Sequence, residues 1–405
     1  MAQSPSPLAG IHVLDLTSVL MGPYATQILA QFGAEVVKLE PPEGDVMRHA
    51  GAKRNPAMGH VYLHANRGKR SIVVDLKRPE ARPVIERLVR RADVLVYNQR
   101  PQAMVRLGLS YEAVKTLNPT IIYAGGLGFS LRGRRAQKPA YDDMIQTLAG
   151  IPWLMQEAGS SEPRFMPGAF ADRFVGLHLA LGVMAAIAYR QRTGRGQRVD
   201  VPMYESLLSL VLGEHLGGLT FVPQHGSVGY RRTLSKDRRP YRTQDGYISV
   251  MIYTDRQWMA FFEAIGTTEV FATDERFQTP AARSTHVDFI YGYLQDVLLQ
   301  RSTGEWLALL EAADIPVAPM QSVSDLLQDA HLHDSGFLET AVHPTEGVMR
   351  QLGCPFEFSE SPARNRGFAP TLGEHTEDIL RECGFDASAI SELRAAGAIQ
   401  GASTA

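Results

Sequence analysis

Asp172 stands in the segment MPGAFADRFVGLHLALG, where a turn of small residues enters a long apolar helix. A carboxylate there sits at the positive end of the helix dipole, which favours its ionised form. An ordinary helix cap is the plainer alternative. A carboxylate approached by small residues is also accessible as a nucleophile, able to form a covalent acyl intermediate. A second set of residues is cationic or carries an amide: Arg67, Lys69, Arg70 and Lys77, then Asn98, Arg100 and Arg106, near the carboxyl ends of expected strands. Such ends face the crevice where α/β sheets bind ligands, and cations there suit a ligand bearing several phosphates. A solvated surface face, partly balanced by Asp75 and Glu80, is the alternative.

Other chemistries find less support. Glu40 ends an expected strand, where a dinucleotide fold places its ribose-binding carboxylate. The turn TSVLMGP at 17–23, however, has one glycine where that fingerprint needs three, and GGLG at 125–128 opens no clear helix. There is no HExxH, no GxSxG elbow and no Walker loop. His331 and His333 lack an obvious third metal ligand, and His178 reads as a core residue. Cys354 and Cys383 are too few for a disulfide framework or a paired-cysteine zinc site, so a reducing, cytoplasmic setting is expected.

The elements that must position these residues follow from periodicity. Ile11–Leu16 and Glu35–Glu40 read as strands, joined by a helix over Ala25–Phe32 that Gly33 ends. Ser71–Leu76, Asp93–Asn98 and Thr120–Ala124 are further strands, and Pro79–Arg91 and Tyr111–Leu117 have helical spacing. The alternation predicts a mostly parallel sheet covered on both faces. Within an expected helix Arg173–Arg192, the apolar run Phe174–Tyr189 is shorter than the about 18–20 residues that span a bilayer, so it reads as a core helix. Residues 217–245, rich in Gly and Arg, read as a linker or loop. Tyr247–Tyr253 then reads as a strand, and Asp255–Ala264, Val287–Gln300 and Thr303–Ala313 as helices of a smaller α+β domain. Gly347–Leu352 and Pro355–Ser359 are late strand candidates before a final helical pair. The 405 residues carry a net charge of −2, which argues against a general nucleic-acid or membrane-surface binder.

Several ordered segments resemble the class III CoA-transferase family, also called the CaiB/BaiF family. They are GIHVLDLTSVLMGPYATQILAQFGAEVVKLEPPEGD at 10–45, NRGKRSIVVDLK at 66–77, ADVLVYNQRP at 92–101, TGRGQRVDVPMYESLL at 193–208 and PTLGEHTEDIL at 370–380. The resemblance implies an α/β fold: a large Rossmann-like, CoA-binding domain from 1–216 and 325–405, and a smaller α+β domain at 217–324. It implies an interlocked homodimer with active sites between domains at the subunit interface. Asp172 matches the family's catalytic carboxylate. Val74, Lys77, Asn98, Arg100 and Arg106 fall on CoA-contacting positions, and Tyr141 and Met203 on active-site positions, beside Leu20 and Asp142.

The implied reaction needs no permanently bound cofactor and no metal; coenzyme A and its acyl esters are substrates. An acyl-CoA donor and a carboxylic acid acceptor are the expected partners, with neither nucleic acid nor membrane. Asp172 attacks the donor thioester, and backbone N–H groups near Leu20–Gly22 are candidate oxyanion donors. Family members acting on oxalyl and formyl groups carry glutamine where this chain has Leu20, and a glycine-rich loop not found at 217–250. A CoA-contacting arginine is replaced by Pro41, and an active-site lysine is displaced to Lys138. These departures favour larger acids, including dicarboxylates such as succinate, for which Arg231, Arg232, Arg238 or Arg239 are candidate partners. The rival readings are a 2-methylacyl-CoA racemase and a non-catalytic CoA-ester-binding protein. The racemases have histidine at the position of Tyr141, and a phenol is a poor general base at neutral pH.

Overall fold

The computed structural model describes residues 5–401. Six strands, β1 (His12–Asp15), β2 (Glu35–Glu40), β3 (Arg70–Val74), β4 (Val94–Tyr97), β5 (Ile122–Leu127) and β6 (Arg198–Pro202), join Ile399–Gln400 in a seven-stranded sheet. The order is Ile399–Gln400, β3, β2, β1, β4, β5, β6. All pairs are parallel except Ile399–Gln400 against β3. This is the expected parallel-dominated α/β sheet, with one antiparallel edge. The chain order reverses at β1, where Val13 faces Val36 on one side and Val94 on the other.

Both faces of the sheet are covered, which explains strands of nearly continuous apolar residues such as VLVY in β4. On one face Leu14, Ile72, Leu95 and Tyr97 pack in a core with Val84, Ile85, Leu88 and Val89 of the helix Arg82–Arg91, and with Ile379 and Leu380. On the other lie α1 (Met21–Gln31) and the long helix Phe170–Thr193, which pack on each other. The long helix has 24 residues and is long and apolar enough to cross a membrane. Here it packs against α1, β5 and β6 as a core element.

Two strand expectations are corrected. Thr120–Ala124 begins and ends later, as Ile122–Leu127, and takes Gly125 and Gly126 into the sheet. A Cβ on Gly126 would lie 2.6 Å from Met21 Cε, so a larger residue there would push aside the end of that side chain, which packs on the strand from α1. Pro355–Ser359 forms no strand; Gly347–Leu352 pairs instead with Leu338–His343, which lay outside the expected elements. A proline at the head of that segment withholds a ladder donor.

The chain divides into two compact units. One runs to Ala149, resumes over Pro167–Ser209 and again from Ala330; the other takes Gly150–Met166 and Leu210–Asp329. The second unit has a three-stranded antiparallel sheet and an aromatic core including Trp258, Phe261, Phe262, Phe277 and Trp306. Thr254 with Gln257, and Ser302 with Glu305, form capping boxes that start two of its helices. Residues 217–245, read as a loop, hold the short helix Arg231–Leu234 and the strand Tyr241–Arg242.

Candidate active site

In the first unit a cavity of about 450 Å³ opens where the strand order reverses, beyond the carboxyl ends of β1 and β4. Ser18, Val19 and Met21 wall it on the β1 side, and Asn98 to Ala103 on the β4 side. Asp142 and Asp172 complete the wall, with Gly126–Gly128, Tyr141 and Met203.

Asp172 is not a helix cap. The capping position of Phe170–Thr193 is Ala169, which supplies no side-chain bond, and Asp172 lies inside the first turn. Its backbone N–H instead donates to Asp142 Oδ1 at 2.9 Å, so a carboxylate thirty residues earlier does the capping. Asp142 Oδ2 accepts from Gln146 Nε2 at 2.6 Å. Burial and the charge of Asp142 push the Asp172 carboxyl up to about 7, against the pull of Arg173. The Arg173 guanidinium lies over the Tyr24 ring at 4.5 Å. Among the described residues, no hydrogen bond or ion pair engages the Asp172 carboxylate. A free carboxylate more basic than usual is a better nucleophile once ionised.

The cavity gathers Asp172, Asp142, Asn98, Arg100, Arg106, Tyr141 and Met203 from the expected set. Arg100 and Arg106 flank the short helix Pro101–Arg106 and are exposed at its ends. Tyr141 is 68% exposed and Met203 is buried. Lys138 also reaches the wall. Leu20 is buried beside the wall, at the N-cap of α1, between the lining residues Val19 and Met21. Val74 and Lys77 are elsewhere: Val74 is buried at the end of β3 opposite Ile399, and Lys77 is exposed just beyond it. Strand β2 lies between β3 and β1, which separates them from the cavity mouth.

The structure corrects several readings of charge. Lys69 is fully enclosed and donates to Asp15 Oδ2 at 3.0 Å, to Pro23 O and to Asn66 Oδ1. Arg67 is buried and donates to the Leu352 carbonyl, and Arg70 pairs with Glu382 at 2.7 Å. These cations are structural. Glu40 is no ribose carboxylate: it is buried, receives Arg48 on both oxygens at 2.7 Å, and receives Ser71 Oγ. The amide of Asn98 is engaged as well, accepting from Ser18 N at 3.0 Å and donating to Ser18 O at 2.8 Å. It braces the cavity wall.

Sequence reasoning named Asn98 and the Leu20–Gly22 turn but missed how that wall is shaped. Val19 adopts φ +68°, a left-handed conformation that costs a β-branched residue about 1–2 kcal/mol. Nothing in the side-chain type announces it. The signal available was the polar run that follows in the same opening segment, ending in Asp45, whose Oδ1 accepts the Val19 N–H at 3.1 Å.

Residues 8–376 match the profile of CoA-transferase family III. The chain belongs to CoA-transferase family III. This family III CoA-transferase is 34% identical, over 98% of its own length and 89% of the relative's, to an acyl-CoA transferase of Fusarium pseudograminearum. It is 32% identical to the formyl-CoA:oxalate CoA-transferase of Escherichia coli O6:H1, with 96% and 98% of the two chains covered. Among solved structures, a CaiB/BaiF family protein from Brucella suis superposes with a TM-score of 0.79 at 30% identity, covering 94% of this chain and 100% of that one. A protein from M. tuberculosis gives 0.78 at 26% identity, with 93% and 99% covered. The chain is therefore an enzyme of the class that handles CoA thioesters.

Proposed function

We propose that this enzyme moves CoA from an acyl-CoA donor to a carboxylic acid acceptor through an aspartyl-CoA thioester on Asp172. The observation that carries the reading is the Asp172 carboxylate itself. It lines a cavity, has no bonded partner among the described residues, and is held less acidic than usual by burial and by Asp142. The exposed guanidinium groups of Arg100 and Arg106 on the same cavity suit the phosphates of CoA.

The ionised carboxylate attacks the thioester carbonyl, the C–S bond breaks, and an acyl-aspartyl anhydride and CoA thiolate form. Thiolate then attacks the aspartyl carbonyl, releasing the donor acid and leaving the thioester on Asp172. The acceptor carboxylate attacks that thioester and releases thiolate, giving a second anhydride. Thiolate attack on its acyl carbonyl yields the new acyl-CoA and restores Asp172. Each thioester is exchanged for an anhydride and back, so the group-transfer energy is kept without ATP.

Oxyanion stabilisation fits the start of α1. Leu20 supplies no side-chain cap, so the N–H groups of Met21 and Gly22, in the first turn, are available beside the cavity. Leu20, where formyl- and oxalyl-transferring relatives carry glutamine, supports an acyl group larger than formate or oxalate. Dicarboxylates such as succinate fall within that size range. The exposed Leu177 and Leu181 of the long helix support a face covered by a second copy of the chain.

The test is covalent trapping. Incubation with a panel of acyl-CoA donors, then hydroxylamine, should mark the peptide containing Asp172 and leave Asp172→Ala unmarked. A panel that leaves no adduct overturns the reading. Deuterium uptake at the α-carbon of a 2-methylacyl-CoA without an acceptor acid would identify a racemase instead.

A further inference from the structure

We infer that Lys38 and Asp45 are positioning residues for the reaction, holding the β1–α1 turn in the shape that the reacting carbonyl meets. Neither touches the cavity. Lys38 is enclosed in β2 and Asp45 follows that strand, and their side chains are 0% and 1% exposed. Lys38 Nζ donates to Asp45 Oδ2 at 2.9 Å and to the Thr17 carbonyl at 2.8 Å. Asp45 Oδ1 accepts the N–H of Val19 at 3.1 Å and that of Met47 at 3.0 Å. The pair thus grips two backbone groups of the turn, on either side of Ser18, which Asn98 grips from β4.

The grip extends inward. Asp45 N–H donates to Glu40 Oε2 at 3.0 Å, and Glu40 is fixed in turn by Arg48. Burial works against the charge on Lys38, yet Asp15, Asp45 and Glu40 outweigh it and raise its basicity. The ammonium therefore stays charged. The turn it holds is tight: a Cβ on Gly22 would fall 2.3 Å from Thr17 Cβ.

An enclosed ion pair contributes little net stability compared with apolar residues of the same volume, so stability alone is a weak reason for this pair. Its distinctive property is direction. A carbonyl and an amide of the turn are fixed from behind, which keeps Val19 left-handed and sets where α1 begins. Displacement of such a wall by an ångström costs about a hundredfold in rate when the reacting groups depend on it.

The kinetic part of this assignment rests on the transferase reading above, and the experiment separates the two. Lys38→Met removes the donor to Thr17; Asp45→Asn keeps an oxygen for the two amides but cancels the charge opposite Lys38. The double variant leaves no unpaired buried charge, so it remains folded if either single variant does not. Lys38→Met and the double variant should lose about ten- to a hundredfold in kcat, with the Kd for free CoA changed less than about threefold. Amide hydrogen exchange over residues 17–22 should quicken about tenfold in the same proteins. Thermal unfolding of the double variant should return toward wild type while kcat does not. Recovery of kcat together with stability, or equal losses in kcat and CoA affinity, would overturn the assignment. So would unchanged exchange over 17–22. Wild-type enzyme that leaves no adduct on Asp172 defeats the transferase reading alone, because exchange is read without turnover.

Discussion

Asp15 and Asp172 are aspartates of the same unit, the first fully buried and the second half-buried on a cavity wall, and their carboxyls are driven in opposite directions. Asp15, at the end of β1, is fully buried, which by itself would raise its pKa. Lys69, Lys38 and the hydroxyls of Thr17 and Thr26 more than reverse that and hold it at about 2. At Asp172 burial acts with the same sign, but there a second carboxylate, Asp142, adds to it, and the result is about 7. Burial is common to both, so burial alone does not mark a reactive group. The difference is whether donors and cations were enclosed with it. A carboxylate that the fold satisfies is scaffolding, and one left unsatisfied in a cavity is a candidate for chemistry, kept at a cost to stability.

The comparison can be broken in four places. The largest effect belongs to Asp172→Ala, which should lower CoA transfer by about a thousandfold or more while leaving circular dichroism unchanged. Near-normal turnover would remove Asp172 from the chemistry. Next is Asp15→Asn, which leaves the ammonium of Lys69 enclosed without its carboxylate. Chemical denaturation at pH 7 should show a loss of about 3–5 kcal/mol. In the wild type, Asp15's folded pKa is depressed from 3.8 to about 2, so its contribution is complete above about pH 4 and fades as pH falls toward 2.

Smaller and opposite in sign is Asp172→Asn. The folded chain holds a proton on Asp172 up to about pH 7, whereas the unfolded chain releases it near 3.8. Wild-type stability therefore declines as pH rises through that window. The amide, which does not titrate, should be more stable by roughly 1–2 kcal/mol at pH 8, with the gain gone near pH 4. Denaturant midpoints at the two pH values check this. The smallest effect is that of Asp142→Asn. It keeps an oxygen for the Asp172 N–H but removes the like charge, so kcat/KM for the donor should begin to rise at lower pH. At pH 6 the variant should exceed its pH 8 fraction of wild-type activity by about a few-fold. An unmoved pH profile would mean that burial alone sets Asp172.

Much of the architecture was legible in the sequence because strands and helices leave local periods. The strands Glu35–Glu40 and Gly347–Leu352 and the helix Tyr111–Leu117 coincide with their expected spans. The edge strand Ile399–Gln400 left no trace, since two residues carry no period and its pairing with Val73 and Val74 is made by contact across the chain. The site was legible in part. Asp172, Arg100, Arg106, Tyr141 and Met203 were named from sequence and meet at one cavity. Lys69 and Glu40 were named for the ligand and belong to the interior, because a charged residue type looks the same whether its partner is a phosphate or Asp15.

The sequence by itself determined the alternation of strand and helix, the place of Asp172 at the head of the long helix, and membership of CoA-transferase family III. Only the tertiary structure decided which charges are spent on one another and which are left free. It brought Asp142 to the amide of Asp172, Lys38 and Asp45 to the turn after β1, and β4 beside β1 so that the cavity opens between them. The physical reason is one of range. Periodicity is set by neighbours along the chain, whereas the charge state and reactivity of a carboxylate depend on desolvation and on groups a few ångströms away in space, which only the fold assembles.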